Sequence, residues 1–515
     1  MFVSVATALE IALQHRSQFM SHITLKASTL LEATLKSLLP AAVSAQCTRN
    51  HFLGDRSALQ AALKSLFGSS TENSARLLLV SDGVHKLSGD AQANVDDFFK
   101  QLCTDSELPF EFLDISSVLS CRPEEVHASV EAVSVLKGKL HQRTPAPVVV
   151  LGSGSLTDVV KHTLFELGWS GVPFVVLPTA LTVTAFTSHF AVLEESGAKR
   201  TRLSRTVDHC LWYAPVLSAA PQAMTRAGYG DLLARFVAYG DWYLGWKLGV
   251  AERYDELAFH LMEPFSGHLR RHAGALQQWP VSAEAIEDLA AILAMAGIAM
   301  SVSGETTPLS GYEHTISHAL DYLHLTSGHA LSWHGEQVAL ASLASAESYD
   351  QLLSLEKIDF QNVRPVSEER IKRTITQLLQ TAPYFGFEES ELTPEQRKSR
   401  LEALQPGIAK ATLLFTEDYR KKHEKWLRAR ENITSFEENW ISIREHLRML
   451  VIPAAEMQSL IVAAGLPLVP EQTSQPTSAL EYRWALRFAP FVRSRVSLAD
   501  FIFWLGEDPA LWATV

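Results

Sequence analysis

Four short apolar runs, ARLLLVSD, FEFLDI, APVVVLGSG and VPFVVLPTA, alternate with segments of helical periodicity such as SALQAALKSLF and NVDDFFKQL. Runs of aliphatic residues with no polar alternation are buried on both faces, the pattern of a parallel sheet covered by crossover helices. This feature restricts the first part of the chain to an α/β domain with a mostly parallel sheet. Ligands are expected beyond the carboxyl ends of its strands.

After about residue 215 the strand signal fades. Long helical patterns replace it, in DLLARFVAYGDWYLGWKLG, AIEDLAAILAMAGIAM and EHTISHALDYL. The 515 residues are too many for one core and divide into an N-terminal helical extension (1–45), an α/β dinucleotide-binding domain (46–215) and an all-α metal- and substrate-binding domain (216–515). In the extension, Leu31, Leu35, Leu38 and Leu39 are spaced for one helix face. The charged segment DYRKKHEKWLRAREN mixes signs at helical spacing and reads as a solvated helix face, and PLVPEQTSQPTS as a turn-rich connection.

Charge and cysteine content remove whole classes of function. A net charge of −12 gives no general attraction to nucleic acid or to an anionic membrane, so neither is expected as a partner. Four cysteines without CxxC spacing support neither a zinc ribbon nor a disulfide framework, and point to a reducing, cytoplasmic location. Glu10 interrupts the apolar N-terminus, which is read as no signal peptide, and the sequon at Asn432 as accidental.

The run Val148–Leu151 leads into Gly152-Ser153-Gly154-Ser155 and a helical stretch, a strand, a small-residue turn and a helix start. Small residues let a phosphate approach the backbone, and the free amides at a helix N-terminus favour negative charge. Thr157 stands where the dinucleotide fingerprint has its third small residue, so a plain tight turn is an equal reading of this segment. Asp82 ends another strand, where it could accept from a ribose hydroxyl pair or simply cap a turn. Thr179 and Thr182 offer hydroxyls at a third strand end. Three such loops at one sheet edge favour a dinucleotide over a lone phosphate.

Asp231 follows Gly228-Tyr229-Gly230 and reads by itself as the cap opening a helix. His314 and His318 stand four residues apart, on one helix face, and His334 comes just as another helix begins. Two imidazoles and a carboxylate leave a divalent metal an open position for substrate. With nineteen histidines in the chain, chance spacing is an equal reading from the residues alone, and His324 and His329 are assigned to loop or surface.

GSGSLTDVVK, PTALTVTAFTS, AGYGDLLARF, SGYEHTISHAL and WHGEQVAL occur in the order of motifs in the iron-containing alcohol dehydrogenase and dehydroquinate synthase superfamily. The chain resembles its glycerol-1-phosphate dehydrogenase-like branch most, from about residue 46 through the closing ALRFAPFVRSRVSLADFIFWLGE. The resemblance implies that the turn motif falls on Gly152, Gly154, Ser155, Asp158 and Lys161, with Ser153 replacing a Gly. It implies metal ligands at Asp231, His314 and His334, and a substrate-side residue at His318. Arg235 lies where true iron enzymes carry a fourth ligand, and a guanidinium binds no metal, so Zn is favoured over Fe. Thr184 stands where the family has a substrate-side Asp, which leaves the named substrate open. Lys199, Arg200 and Arg202 read as a solvated loop cluster.

The expected function is a metal- and NAD(P)-dependent dehydrogenase interconverting a small polar alcohol, a phosphate ester such as glycerol 1-phosphate included, and its carbonyl compound. It would use NAD or NADP and one divalent metal. His318 is the candidate proton relay and Arg235 the candidate receptor for an anionic group. The alternatives are a dehydroquinate synthase-like cyclase using NAD transiently, or an inactive homologue. A homo-oligomer is compatible with the sequence.

Overall fold

Among the described residues six parallel strands form one sheet, four of them on the apolar runs: β1 (Arg49–Leu53), β2 (Leu77–Ser81), β3 (Phe110–Asp114), β4 (Val148–Gly152), β5 (Phe174–Pro178) and, after a hairpin of β6 (Phe190–Glu195) and β7 (Ala198–Leu203), β8 (His209–Tyr213). The computed structural model describes residues 25–68, 76–89, 93–195, 197–327, 329–360, 367–382 and 392–514. Every residue of β2, β4 and β5 is buried, as unbroken aliphatic runs require. The edge strand β1 (RNHFL), the hairpin and β8 were not expected; β1 is polar and half-exposed, so it carries no such run.

The sheet order is β1-β8-β5-β4-β2-β3. The chain steps outward from β2 to β3, crosses back to β4 and then proceeds the other way, so the topological switch lies between β2 and β4. Val80 pairs with Val150 and Gly152 with Pro178, which aligns Asp82, Gly152 and Thr179 at one edge. This is where an open α/β sheet binds its ligand.

The helices named below are α1 (Ala27–Leu38), α2 (Val130–Leu140), α3 (Gly154–Glu166), α4 (Gln222–Leu232), α5 (Ala283–Ser303), α6 (Tyr312–Ser327), α7 (His334–Ser354), α8 (Pro394–Ala429) and α9 (Leu498–Trp504). Between β3 and β4 the helical stretch is broken into pieces. Ser120, at φ 55°, ends a short helix, Pro123 opens a 3₁₀ turn, and α2 follows. In the N-terminal region α1 buries Leu30, Leu31 and Leu35 against α5, and residues 1–24 of the expected extension lie outside the described residues.

The helix α5 is apolar all round and long enough by composition to cross a membrane, but 83% of its most apolar window is buried inside the fold. Such a helix is the pillar of a core. At Gly297 it presses on the loop after β5, where a Cβ would come within 2.7 Å of the Thr184 carbonyl oxygen and 2.8 Å of the Ser188 nitrogen. The charged segment DYRKKHEKWLRAREN lies mostly on α8 and is amphipathic: Tyr419, Lys422 and Trp426 are buried, and Lys422 pairs with Asp500 at 2.6 Å, while Arg420 stays exposed.

Candidate metal and nucleotide site

Glycine contacts assemble the site. The helix α4 begins at Gln222, so Asp231 lies near its end and is not the cap that opens it. A Cβ at Gly228 would overlap the Leu181 carbonyl oxygen, one at Gly230 the Gly335 carbonyl oxygen, and one at Gly335 the Ala227 carbonyl oxygen. Backbone therefore meets backbone where α4 crosses both the loop after β5 and the start of α7. Any larger side chain would separate Asp231 from His334.

Asp231, His314 and His334 offer ligand atoms that all lie within 4.8 Å of one another. Asp231 Oδ1 is 3.3 Å from His314 Nε2 and 3.7 Å from His334 Nε2. Ligands about 2.1 Å from a tetrahedral Zn²⁺ stand roughly 3.4 Å apart, so the three atoms are spaced for one ion. Asp231 Oδ1 is buried and accepts no hydrogen bond.

Both imidazoles are held in one tautomer. His314 Nδ1 lies 2.9 Å from Glu313 Oε1, an obligate acceptor when ionised, so Nδ1 carries the proton and Nε2 keeps its lone pair. Ser317 Oγ donates to Gln337 Oε1 at 2.8 Å, which leaves its oxygen to accept from His334 Nδ1 at 3.1 Å. Again Nε2 is left free toward Asp231. Outer partners of this kind orient metal-binding histidines.

Burial would raise the Asp231 carboxyl, but His314, His334 and the Thr184 backbone N–H hold it below the usual range. Burial followed by Lys199 pushes His334 down to about 4. His314 is pulled the other way, because Asp231 and Glu313 outweigh its burial.

His318 stacks beside His334, ring centres 5.9 Å apart, but its Nε2 accepts from Arg493 Nη2 at 2.9 Å. Burial and Arg493 hold it well below the ordinary imidazole range. One ring nitrogen of His318, the candidate proton relay, is therefore engaged by Arg493.

Arg235 is also corrected. The α-helix ends at Leu232 and a 3₁₀ turn carries Leu233–Phe236, so one-turn spacing no longer returns to the face of Asp231. Arg235 is buried over the Phe259 ring, 4.5 Å from its centre, and pairs with Glu263.

At the sheet edge, Gly152 ends β4, and Ser153 precedes α3 with no side-chain cap, so the first amides of the helix are left open. Ser155 is exposed on the first turn. Gly154 is pressed by Val183 of the next loop. Thr179 is buried, its N–H bonded to the Gly152 carbonyl at 3.1 Å, and Thr182 is half-buried beyond it. Asp82 is buried, caps the Val84 N–H at 3.0 Å and pairs with Lys86. Asp158 faces inward, pairing with Lys161 at 2.9 Å and accepting from the Val192 N–H at 3.1 Å, which corrects its reading as a direct cofactor contact.

Lys199, Arg200 and Arg202 form no solvated loop. They lie on β7, where Lys199 pairs with Asp321 at 2.7 Å and Arg200 with Asp418 at 2.6 Å. His324, expected at the surface, is buried beside Thr477 Oγ1 at 3.3 Å. The residues missed from sequence are Glu313, Ser317 and Arg493. Their only signal was adjacency to His314 and His318, or presence in the quoted FVRSR run.

Residues 67–212 match the family model described as iron-containing alcohol dehydrogenase. The chain is 34% identical over 222 residues to the glycerol-1-phosphate dehydrogenase [NAD(P)+] of Hyperthermus butylicus, covering 43% of this chain and 60% of that one. It is 28% identical over 292 residues to the enzyme of the same name from Halorubrum lacusprofundi, covering 56% and 78%. With the first relatives the chain spans between about half and three fifths of their length. A probable glycerol dehydrogenase from Sinorhizobium meliloti 1021 overlaps at a TM-score of 0.43 and 16% identity, over 71% of this chain and 98% of that one. Residues 67–212 are thus similar to the iron-containing alcohol dehydrogenase family, and part of the chain is similar to glycerol-1-phosphate dehydrogenases.

Proposed function

We propose that the protein is a metal- and NAD(P)-dependent dehydrogenase interconverting a small polar alcohol and its carbonyl compound, with a phosphate ester such as glycerol 1-phosphate the leading candidate. One observation carries this reading: an orphaned buried carboxylate oxygen and two histidine Nε2 atoms of fixed tautomer converge against the loop after β5, which also presses on Gly154 at the sheet edge. The donor set fits a divalent cation with an open position, and Zn²⁺ suits three protein ligands once Arg235 is turned away.

When bound, the metal supplies a Lewis acid for the substrate oxygen and the nicotinamide supplies the hydride acceptor. The chain does the rest by placement. Asp231, His314 and His334 would hold the metal, and Glu313 and Ser317 keep the two rings from turning. The open amides at Gly154 and Ser155 receive the pyrophosphate, with Asp82 at the neighbouring strand end for the ribose. His318 keeps its proton on Nδ1, which faces Asp321 at 3.9 Å, and forms one wall of the substrate space. The four free thiols support a reducing, cytoplasmic setting.

The test supplies the Zn- or Fe-loaded protein with NAD or NADP and a panel of polyols and their phosphate esters, and reads reduced nicotinamide by absorbance. Accumulation of the reduced cofactor is expected, highest with Zn. Absence of bulk reduction across the panel would return the protein to the cyclase or inactive-homologue readings.

A further inference from the structure

Four cations gather around Arg493 and His318, and two of them sit in ion pairs. Lys199 pairs with Asp321 at 2.7 Å, Arg200 pairs with Asp418 at 2.6 Å, and Arg495 bonds Ser310 and Thr306 within the field of Glu313 and Asp241. Arg493, like Arg495, has no carboxylate within ion-pair distance among the described residues, and Asp418, which acts on it through space, is paired with Arg200.

Arg493 is nevertheless only 8% exposed. One Nη donates to His318 Nε2 at 2.9 Å and the other reaches Thr201 Oγ1 at 3.5 Å, while Nε has no partner. Burial, Arg495 and Arg200 together push its pKa down to about 9. A desolvated guanidinium among other cations is costly unless an anion completes it.

Its place identifies the ligand class. Arg493 touches His318, which stacks on the candidate ligand His334, so the guanidinium stands one imidazole away from the three converging atoms. An alcohol held at those atoms and carrying a charged group a few bonds away would reach it. A guanidinium fork binds the paired oxygens of a phosphate or carboxylate better than any other cationic side chain.

We propose that Arg493 is the receptor for a terminal anionic group of the substrate, a phosphate monoester or a carboxylate, and so sets the preference for charged over uncharged alcohols. The proposal rests on the dehydrogenase reading for the position of the alcohol, but not for the binding of the anion. It also replaces Arg235, which faces away, in the role the sequence had pointed to.

Two measurements test it on the metal-loaded full chain, with Arg493→Met and Arg493→Lys. In the first, kcat/KM is compared for glycerol 1-phosphate, a hydroxy acid of equal length, and glycerol. The ratio of the preferred anionic substrate to glycerol should fall about thirtyfold or more in Arg493→Met, mainly through KM, with partial recovery in Arg493→Lys. An unchanged ratio overturns the proposal, and the better of the two anions in wild type decides between phosphate and carboxylate.

In the second, inorganic phosphate and glycerol 1-phosphate are titrated calorimetrically without nicotinamide. Wild type should bind at least one, and Arg493→Met at least tenfold more weakly. If no substrate is turned over but this difference appears, the dehydrogenase reading falls and the anion site stands. If wild type binds neither anion, or both proteins bind alike, the anion site falls. Should Arg493→Met fail to fold, Arg493→Lys carries both comparisons, because it keeps the charge and loses the fork.

Discussion

Among the described residues are two clusters of one aspartate and two histidines, each with ligand atoms within 4.8 Å: Asp231, His314 and His334, and Asp288, His268 and His272. Their residue types are identical and their chemistry is not. In the second cluster a single oxygen, Asp288 Oδ2, receives His268 Nδ1 at 2.7 Å, His272 Nε2 at 2.7 Å and Arg271 Nη2 at 2.8 Å. Asp288 Oδ1 takes the Ala27 N–H at 2.8 Å. Both carboxylate oxygens are engaged and a guanidinium occupies the place of a cation. In the first cluster the outer partners are Glu313 and Ser317, which turn the imidazole lone pairs inward. Outer partners, rather than ligand type, separate a candidate metal centre from a hydrogen-bonded staple, here one that fastens α1 to α5.

The largest expected effect breaks the staple. Asp288→Asn should cost about 3–5 kcal/mol of stability at neutral pH, read by denaturant unfolding, because buried donors lose their charge partner. Burial opposes the Asp288 charge, but His268, His272 and the Ala27 N–H prevail and hold the carboxyl far below the usual range. A depressed native pKa gives stability that is present above the unfolded value of about 3.9 and lost as pH falls through the folded one. The gap between wild type and variant should therefore be full at pH 7 and narrow below about pH 4. Metal content should not change; if it does, the second cluster is a metal site after all.

Next in size is ligand removal at the first cluster. His314→Ala or His334→Ala should weaken Zn²⁺ binding more than about a hundredfold, beyond the cost of losing an outer partner. Near-stoichiometric metal in both purified variants would contradict the assignment.

A smaller change sharpens the role of the outer partners. Glu313→Gln keeps the shape but weakens the hold on His314 Nδ1, and metal affinity should fall about 10–100-fold with the fold intact. An unaltered dissociation constant for Zn²⁺ would make Glu313 merely structural.

The smallest effect is expected at Arg235, outside both clusters. Arg235→Met should lower stability by about 2 kcal/mol through the lost aromatic and Glu263 contacts, and leave the preference for phosphorylated over unphosphorylated substrates as in wild type. A selective loss on phosphorylated substrates would put Arg235 back beside the substrate.

Much of this was legible in the chain. The aliphatic runs marked β2, β4 and β5 because strands buried on both faces tolerate no polar residue, and the small-residue turn marked the start of α3. The polar strand β1 left no such mark, since a half-exposed edge is stabilised by backbone pairing with β8. Asp231, His314 and His334 were named from spacing and resemblance. Asp288, His268 and His272 drew no notice, although they make an equally tight cluster.

What the sequence determined by itself was therefore periodic or local: the order of the four apolar strands, the turn at Gly152–Ser155, the one-turn pairing of His314 and His318, and the overall charge. Each depends on residues a few positions apart, where backbone geometry is the same in any fold. Only the tertiary structure decided what each charged side chain faces. Arg235 was lost to an aromatic pocket by a change from α to 3₁₀ winding, and Asp158 to a buried lysine. Arg493 was brought against His318 from 175 residues away. Side-chain partners at such separations follow from how whole helices pack, and that packing rests here on glycine contacts at Gly228, Gly230 and Gly335 whose counterparts along the chain cannot be read from spacing.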